Sequence, residues 1–430
     1  MDSTIPPAPS VPPPADASSP QVLAAQRATY VAFIGSGFGF ASWASQIPQV
    51  KASLGASPSL LGLVLLSVAV GSLVALPLAG VVVTRLGTAR TITAMALLLA
   101  TGLVVVGLGY RAGVVPVVVG LVCMGFGNGT WDVAMNVAGA AVEQRRGRAI
   151  MPRFHAGFSV GTVVGALGGS ASVALGVPVG VHLVVAAVLV AVVVPLSVRR
   201  LLPPEPVADP ATPDEARRSP LRAWTEPRTL LVGVFVLCMA FTEGTGNDWL
   251  AVAVIDGYRA GAVAGPLVFA VFLAAMTLGR WFGPELIDRF GRVATVRASA
   301  LVALVGLLLV VFGQLLGVAV LGAVLWGLGA ALGFPVGMSA AADDPARAAA
   351  RVSVVASVGY TAFLAGPPLI GFLGDRVGVL HALTVTAGLL ALAAAIAGTT
   401  RPLAGSADPG VLAAAARTAP PPSPEGDGGR

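Results

Sequence analysis

Twelve stretches of about twenty mostly apolar residues run through this chain of 430 residues. A helix that crosses the roughly 30 Å hydrocarbon core of a bilayer needs about 20 such residues. The approximate spans are 28–48, 59–83, 91–110, 114–141, 151–176 and 178–198, then 229–255, 262–284, 293–313, 315–341, 352–373 and 379–399. Hydrophobic residues make up 56% of the chain and charged residues 11%, where soluble domains carry about 25% charged residues. So few charges cannot clothe a water-facing surface, and most of the outer surface must face lipid. The predicted fold is all-α and membrane-embedded, with twelve transmembrane helices in two pseudo-symmetric six-helix bundles.

Residues 199–227 are the one long polar segment inside the chain and contain Pro203, Pro204, Pro206, Asp214, Glu215, Arg217 and Arg218. They read as a cytoplasmic linker between a bundle over 27–198 and a second over 228–400. Residues 1–26, rich in Pro, Ala and Ser, lack the basic start and apolar core of a signal peptide and are expected to form a disordered arm. Residues 401–430 are expected to form a disordered tail. Loop charge sets orientation. With both termini cytoplasmic, the inner loops hold Arg85, Arg90, Arg145, Arg146, Arg148, Arg289, Arg292, Arg297, Arg347 and Arg351, and the outer loops only Lys51, Arg111, Arg259 and Arg376. The expected location is the cytoplasmic membrane, and the expected working unit is a monomer.

The net charge of +6 lies in short arginine clusters between apolar runs, which argues against a nucleic-acid partner. Cys123 and Cys238 sit inside apolar runs, and the three histidines are scattered. No metal or cofactor is expected. The chain has no phosphate-binding loop and no catalytic triad, so neither ATP-driven transport nor an enzyme is expected.

The two halves repeat. Thr84-Arg85-Leu86-Gly87 follows the second apolar stretch, and Asp288-Arg289-Phe290-Gly291 follows the eighth, 204 residues later. Ser159-Val160-Gly161 recurs as Ser357-Val358-Gly359. Such repeats mark secondary transporters, whose site lies near mid-membrane between the halves. Leu286 to Arg292 fits the core of the loop signature G-x-L-a-D-R-x-G-R, and here the chain resembles the major facilitator superfamily over about 27–400. The resemblance implies gating and loop-signature roles for Arg85, Gly87, Asp288, Arg289, Gly291 and Arg292. Thr84 replaces the acid in the first copy. Gly371 to Gly378 resembles the signature as well, but it falls on the outer side and reads as a decayed copy. Asn128 to Asn136, Met151 to Ala156, Glu243 and Asp248-Trp249 look like the fucose-permease-like branch, which implies sugar-type solutes and proton coupling.

A charge at mid-membrane costs about 2.5–3.5 kcal/mol on insertion scales, so polar groups there need a reason. Asn128, Asp132 and Asn136 are four apart and share one face of the fourth helix. They are expected to line a cavity; the alternative is hydrogen-bonded glue between helices. Glu243 falls near the middle of the seventh helix, with Asn247 one turn outward. A carboxyl held out of water favours its protonated form, which makes Glu243 first and Asp132 second as carriers of a coupled proton; a permanently paired Glu243 is the alternative. Asp248 is placed near the outer interface. Trp43 and Gln46 on the first helix, with Trp326 on the tenth, would present an aromatic face and an amide to a sugar-like ring. Gly157, Gly161, Gly165 and Gly169 form a ladder on the fifth helix, echoed by Ala275, Gly279 and Gly283 on the eighth. Small residues permit close helix approach, either between the halves, where the family brings these helices together, or within one bundle.

The expected function is secondary transport of a small solute by alternating access, with the site lined by helices one, four, seven and ten. A proton-coupled symporter for a sugar-like solute comes first. A proton-coupled exporter of drugs or metabolites, and a transporter-derived solute sensor, are the alternatives.

Overall fold

The computed structural model of the chain describes residues 19–146, 150–202, 220–344 and 347–403. Among these residues there are helices and turns and no strand. A backbone in hydrocarbon must satisfy its own polar groups, and a helix does so within one segment.

The N-terminal half holds α1 (Pro20–Ala44), α2 (Pro58–Leu86), α3 (Thr88–Gly109), α4 (Val114–Arg146), α5 (Met151–Ala174) and α6 (Val179–Val198). The C-terminal half holds α7 (Pro227–Tyr258), α8 (Ala264–Phe290), α9 (Arg292–Phe312), α10 (Leu316–Ala341), α11 (Ala348–Val377) and α12 (Val379–Thr400). Eleven of these are long and apolar enough to cross a membrane. The twelfth, α1, spans 25 residues, and Gln26, Arg27, Thr29, Ser36 and Ser42 dilute its apolarity. It begins at Pro20 behind the Ser19 cap, so residues 20–26 are helical and do not belong to an arm. Residues 1–18, 203–219 and 404–430 of the expected arm, linker and tail lie outside the described residues. At the linker's far edge, Pro220–Thr225 forms a 3-10 turn.

Local chemistry explains the ends. Ser19 and Ser57 accept backbone N–H bonds at the starts of α1 and α2, and Pro20 and Pro58 occupy the first helical position, where no N–H is needed. The α2–α3, α8–α9 and α11–α12 hairpins turn on Gly87, Gly291 and Gly378, with φ of 77°, 80° and 80°. Each glycine ends one helix and starts the next, a left-handed conformation that a Cβ would strain. In the first two hairpins Thr91 and Thr295 each donate to that glycine's carbonyl at 2.8 Å. The sequence repeat is therefore also a repeat of backbone shape.

Helix contacts carry the same symmetry. The α1–α5, α2–α4, α3–α4 and α3–α6 pairs recur as α7–α11, α8–α10, α9–α10 and α9–α12. Between the halves, α2 packs on α11 and α5 on α8. Apolar residues cover both sides of the outer helices. On α6, Leu183, Ala187, Val190 and Val194 are buried, whereas Val181, Val185, Val188 and Val192 are exposed at helical spacing. The second stripe has only lipid as a suitable partner.

Small residues set the spacing inside each half. A Cβ on Gly161 would collide with the Ile34 carbonyl, and one on Gly165 with the Phe38 carbonyl; Gly157 also faces α1, and Gly169 faces Ser45 and Gln46 in the turn after it. Gly279 and Gly283 face Ala331 and Leu332 of α10. Both ladders thus pack within their own bundles and do not form the sliding contact between halves.

Candidate solute-binding site

A cavity of about 270 Å³ lies between the halves, lined from one side by α1, α2 and α4 and from the other by α7 and α11, with Leu99 of α3. From α4 come Asn128 and Asp132; from α7 come Gly244, Asn247 and Asp248; Phe40, Trp43, Tyr360 and Phe363 supply aromatic faces. Helix spacing brings the α7 residues together, since 244, 247 and 248 are three and four apart. The α4 stripe is knitted locally. Ser36 Oγ donates to Asn128 Oδ1 at 2.8 Å, and Asn136 Nδ2 donates to the Asp132 carbonyl at 2.8 Å and to Asp132 Oδ1 at 3.3 Å.

Several expected contacts go elsewhere. Asn136 turns back onto Asp132 and does not line the cavity. Gln46 is buried, with Nε2 donating to the Gly169 carbonyl at 3.2 Å and to Ser172 Oγ at 3.1 Å, so it ties the turn after α1 to α5. Trp326 is buried against Phe272, with ring centroids 5.5 Å apart. Helix α10 therefore contributes nothing to the lining, and α2 and α11 take the places expected of it. Glu243 pairs with Arg280 of α8 at 2.8 Å and is absent from the lining. Asp248, expected near the interface, lines the cavity because α7 continues to Tyr258. Ten residues of helix, roughly 15 Å, separate Asp248 from that end. The Asp248 side chain makes no hydrogen bond or ion pair among the described residues. The position of Asn247 beside it was the available signal, since the next residue along shares part of its face.

The sequence profile of the Major Facilitator Superfamily matches residues 29–361. The chain belongs to the Major Facilitator Superfamily. An uncharacterized MFS-type transporter of Yersinia pestis is 31% identical over 373 residues, covering 86% of this chain and 93% of that protein. Among solved structures, a point mutant of the nucleoside transporter NupG superposes with a TM-score of 0.72 at 14% identity, covering 88% of this chain and 99% of its own. A point mutant of the E. coli fucose:proton symporter FucP gives 0.58 at 15% identity, covering 90% and 100%. At such identities the structural likeness establishes the fold.

The superfamily's loop signature divides in use. Arg292 pairs with Asp343 at 2.8 Å, and Arg228 meets the same carboxylate at 2.9 Å, so the end of α10 is clamped between α7 and α9. Asp288 is exposed and makes no ion pair or hydrogen bond among the described residues, and Arg289 lies 5.2 Å from the Phe290 ring. Arg85 is exposed, and Thr84 bonds back to the Gly80 carbonyl at 2.7 Å.

The third copy, read as decayed, has work of its own. Asp375 Oδ2 accepts the Ser59 N–H at 3.2 Å, so an acid from α11 caps the start of α2 across the halves. Such a carboxylate also complements the positive end of the helix. Nearby, Lys51 Nζ pairs with Asp256 Oδ2 at 2.8 Å, and Gln49 Nε2 donates to the Ala262 carbonyl at 3.3 Å. Every hydrogen bond described between the halves lies at this face, the one opposite the start of α1 and the end of α12.

These contacts form a polar latch over the cavity. Each is partly solvated and worth about 1 kcal/mol or less. With Cys123 and Cys238 replaced by Ser, and a single cysteine introduced at cavity-lining Ala44, Lys51→Ala combined with Asp375→Ala should open this face. Thiol labelling from this side should quicken by about fivefold, the factor for 1 kcal/mol. An unchanged labelling rate would show that packing alone closes it.

Proposed function

We propose that this chain is a proton-coupled secondary transporter that carries a small, sugar-like solute across the cytoplasmic membrane by alternating access. Its family and fold make it a transporter. The observation that carries the finer reading is a central cavity lined by one carboxyl from each half, Asp132 and Asp248, beneath a polar latch. Aromatic faces beside Asn128 and Asn247 suit a ring with one apolar and one hydroxyl-bearing side. Asp132 and Asp248 replace Glu243 as the first proton carriers, because Glu243 already holds a counter-charge in Arg280. A carboxyl facing the cavity without such a partner is the group whose charge state changes with the cavity's access to water.

The test is proton movement in proteoliposomes that contain a pH-sensitive dye. Addition of sugars and other small metabolites should provoke a solute-dependent pH change absent from protein-free vesicles. A sensor would bind the same solutes without any flux, and that outcome would sink the reading. Orientation is checked with reporter fusions, which should be cytoplasmic after Leu403 and external after Arg111.

A further inference from the structure

Resting on the reading of this cavity as the solute site, we infer that the solute is a small organic cation, a protonated amine on a compact apolar or ring-shaped body. The lining contains two carboxyl side chains and no Lys, Arg or His. Arg280 of α8 is matched by Glu243. Asp248 has no hydrogen-bond or ion-pair partner among the described residues, and Asp132 receives one side-chain bond, from Asn136. Asn247, also in the lining, has an Oδ1 that is buried without a partner. The hydroxyl of Ser72 is already committed to the Gly125 carbonyl at 3.0 Å.

The cavity thus offers two acidic side chains and no basic one. An anionic solute would meet like charge in a medium of low dielectric, where repulsion is strongest. A neutral solute would leave both carboxyl groups to be neutralised by protons alone. An ammonium group supplies a positive charge and three donors. Phe40, Trp43 and Tyr360 offer ring faces that attract a cation. The volume of about 270 Å³ favours a single small ring over a drug-sized molecule.

Calorimetric titration of the purified protein at neutral pH with matched ring compounds tests this. Cyclohexylamine is compared with cyclohexanol and cyclohexanecarboxylate, and glucosamine with glucose and glucuronate. In the wild-type protein at least one amine should bind tenfold or more tightly than its neutral partner, and the carboxylates should not bind. Asp248→Asn should erase that preference, and Asp248→Glu should keep it. Neutral partners that bind as tightly as the amines, or no binding by either amine, would overturn the inference, and this comparison needs no variant. Amine-selective binding without flux in proteoliposomes would remove the transport reading and leave this one standing. Flux of neutral rings with no amine preference would do the reverse.

Discussion

Asp248→Asn is expected to abolish solute-driven proton flux, lowering it by tenfold or more in reconstituted vesicles. The carboxyl lines the cavity from α7 without a hydrogen-bond or ion-pair partner among the described residues, so no counter-charge holds it in one ionic form. An amide has nearly the same shape and cannot bind or release a proton, so a coupling acid is lost while packing is kept. Asp132→Asn should act the same way from the other half, less completely, because Asn136 already bonds to that side chain. Glu243→Gln is a contrasting case. It removes the partner of Arg280 within the helical core, and leaving a partly buried charge unmatched costs on the order of 1–3 kcal/mol. Reduced thermal stability is therefore its expected first effect. Proton flux at the wild-type level in both aspartate variants, with equal protein reconstituted, would show that neither residue carries the proton.

Gly161→Leu is the substitution expected to damage the fold most. A Cβ at this position would collide with the Ile34 carbonyl, so a leucine forces α1 and α5 apart along their whole contact. Overpacking typically costs about 1–3 kcal/mol, and backbone on the facing side leaves little room for relief. The thermal midpoint should fall by about 5 °C or more, with loss of the monodisperse peak in size-exclusion chromatography. Gly168→Leu, further along α5 on its exposed side, meets only His182 at 3.9 Å and should behave like wild type. If both variants are equally stable, close α1–α5 approach is not what holds the N-terminal half together.

The sequence by itself determined the membrane embedding, the helix count and the twofold repeat. Each of these is a one-dimensional property. Length and apolarity decide whether a helix can span, and the Arg-x-Gly hairpins recur because each needs a left-handed glycine between two helices. The acid–amide stripe of α4 was legible for the same reason, since residues four apart share a helix face whatever surrounds them. Which neighbour a face meets is a different kind of information. Glu243 and Asp248 look alike in sequence, yet only the packing of α8 supplies Arg280 to the first and leaves the second to the cavity. Gln46 and Trp326 have the chemistry of ligand contacts, but the approach of α5 and α8 turns them into packing residues. The glycine ladders announce close contact without naming the partner. Asp375 reads as a relic until α11 meets the start of α2. Periodicity along one chain assigns a side chain to a face, and only the tertiary arrangement of twelve helices decides whether that face meets lipid, another helix or the cavity.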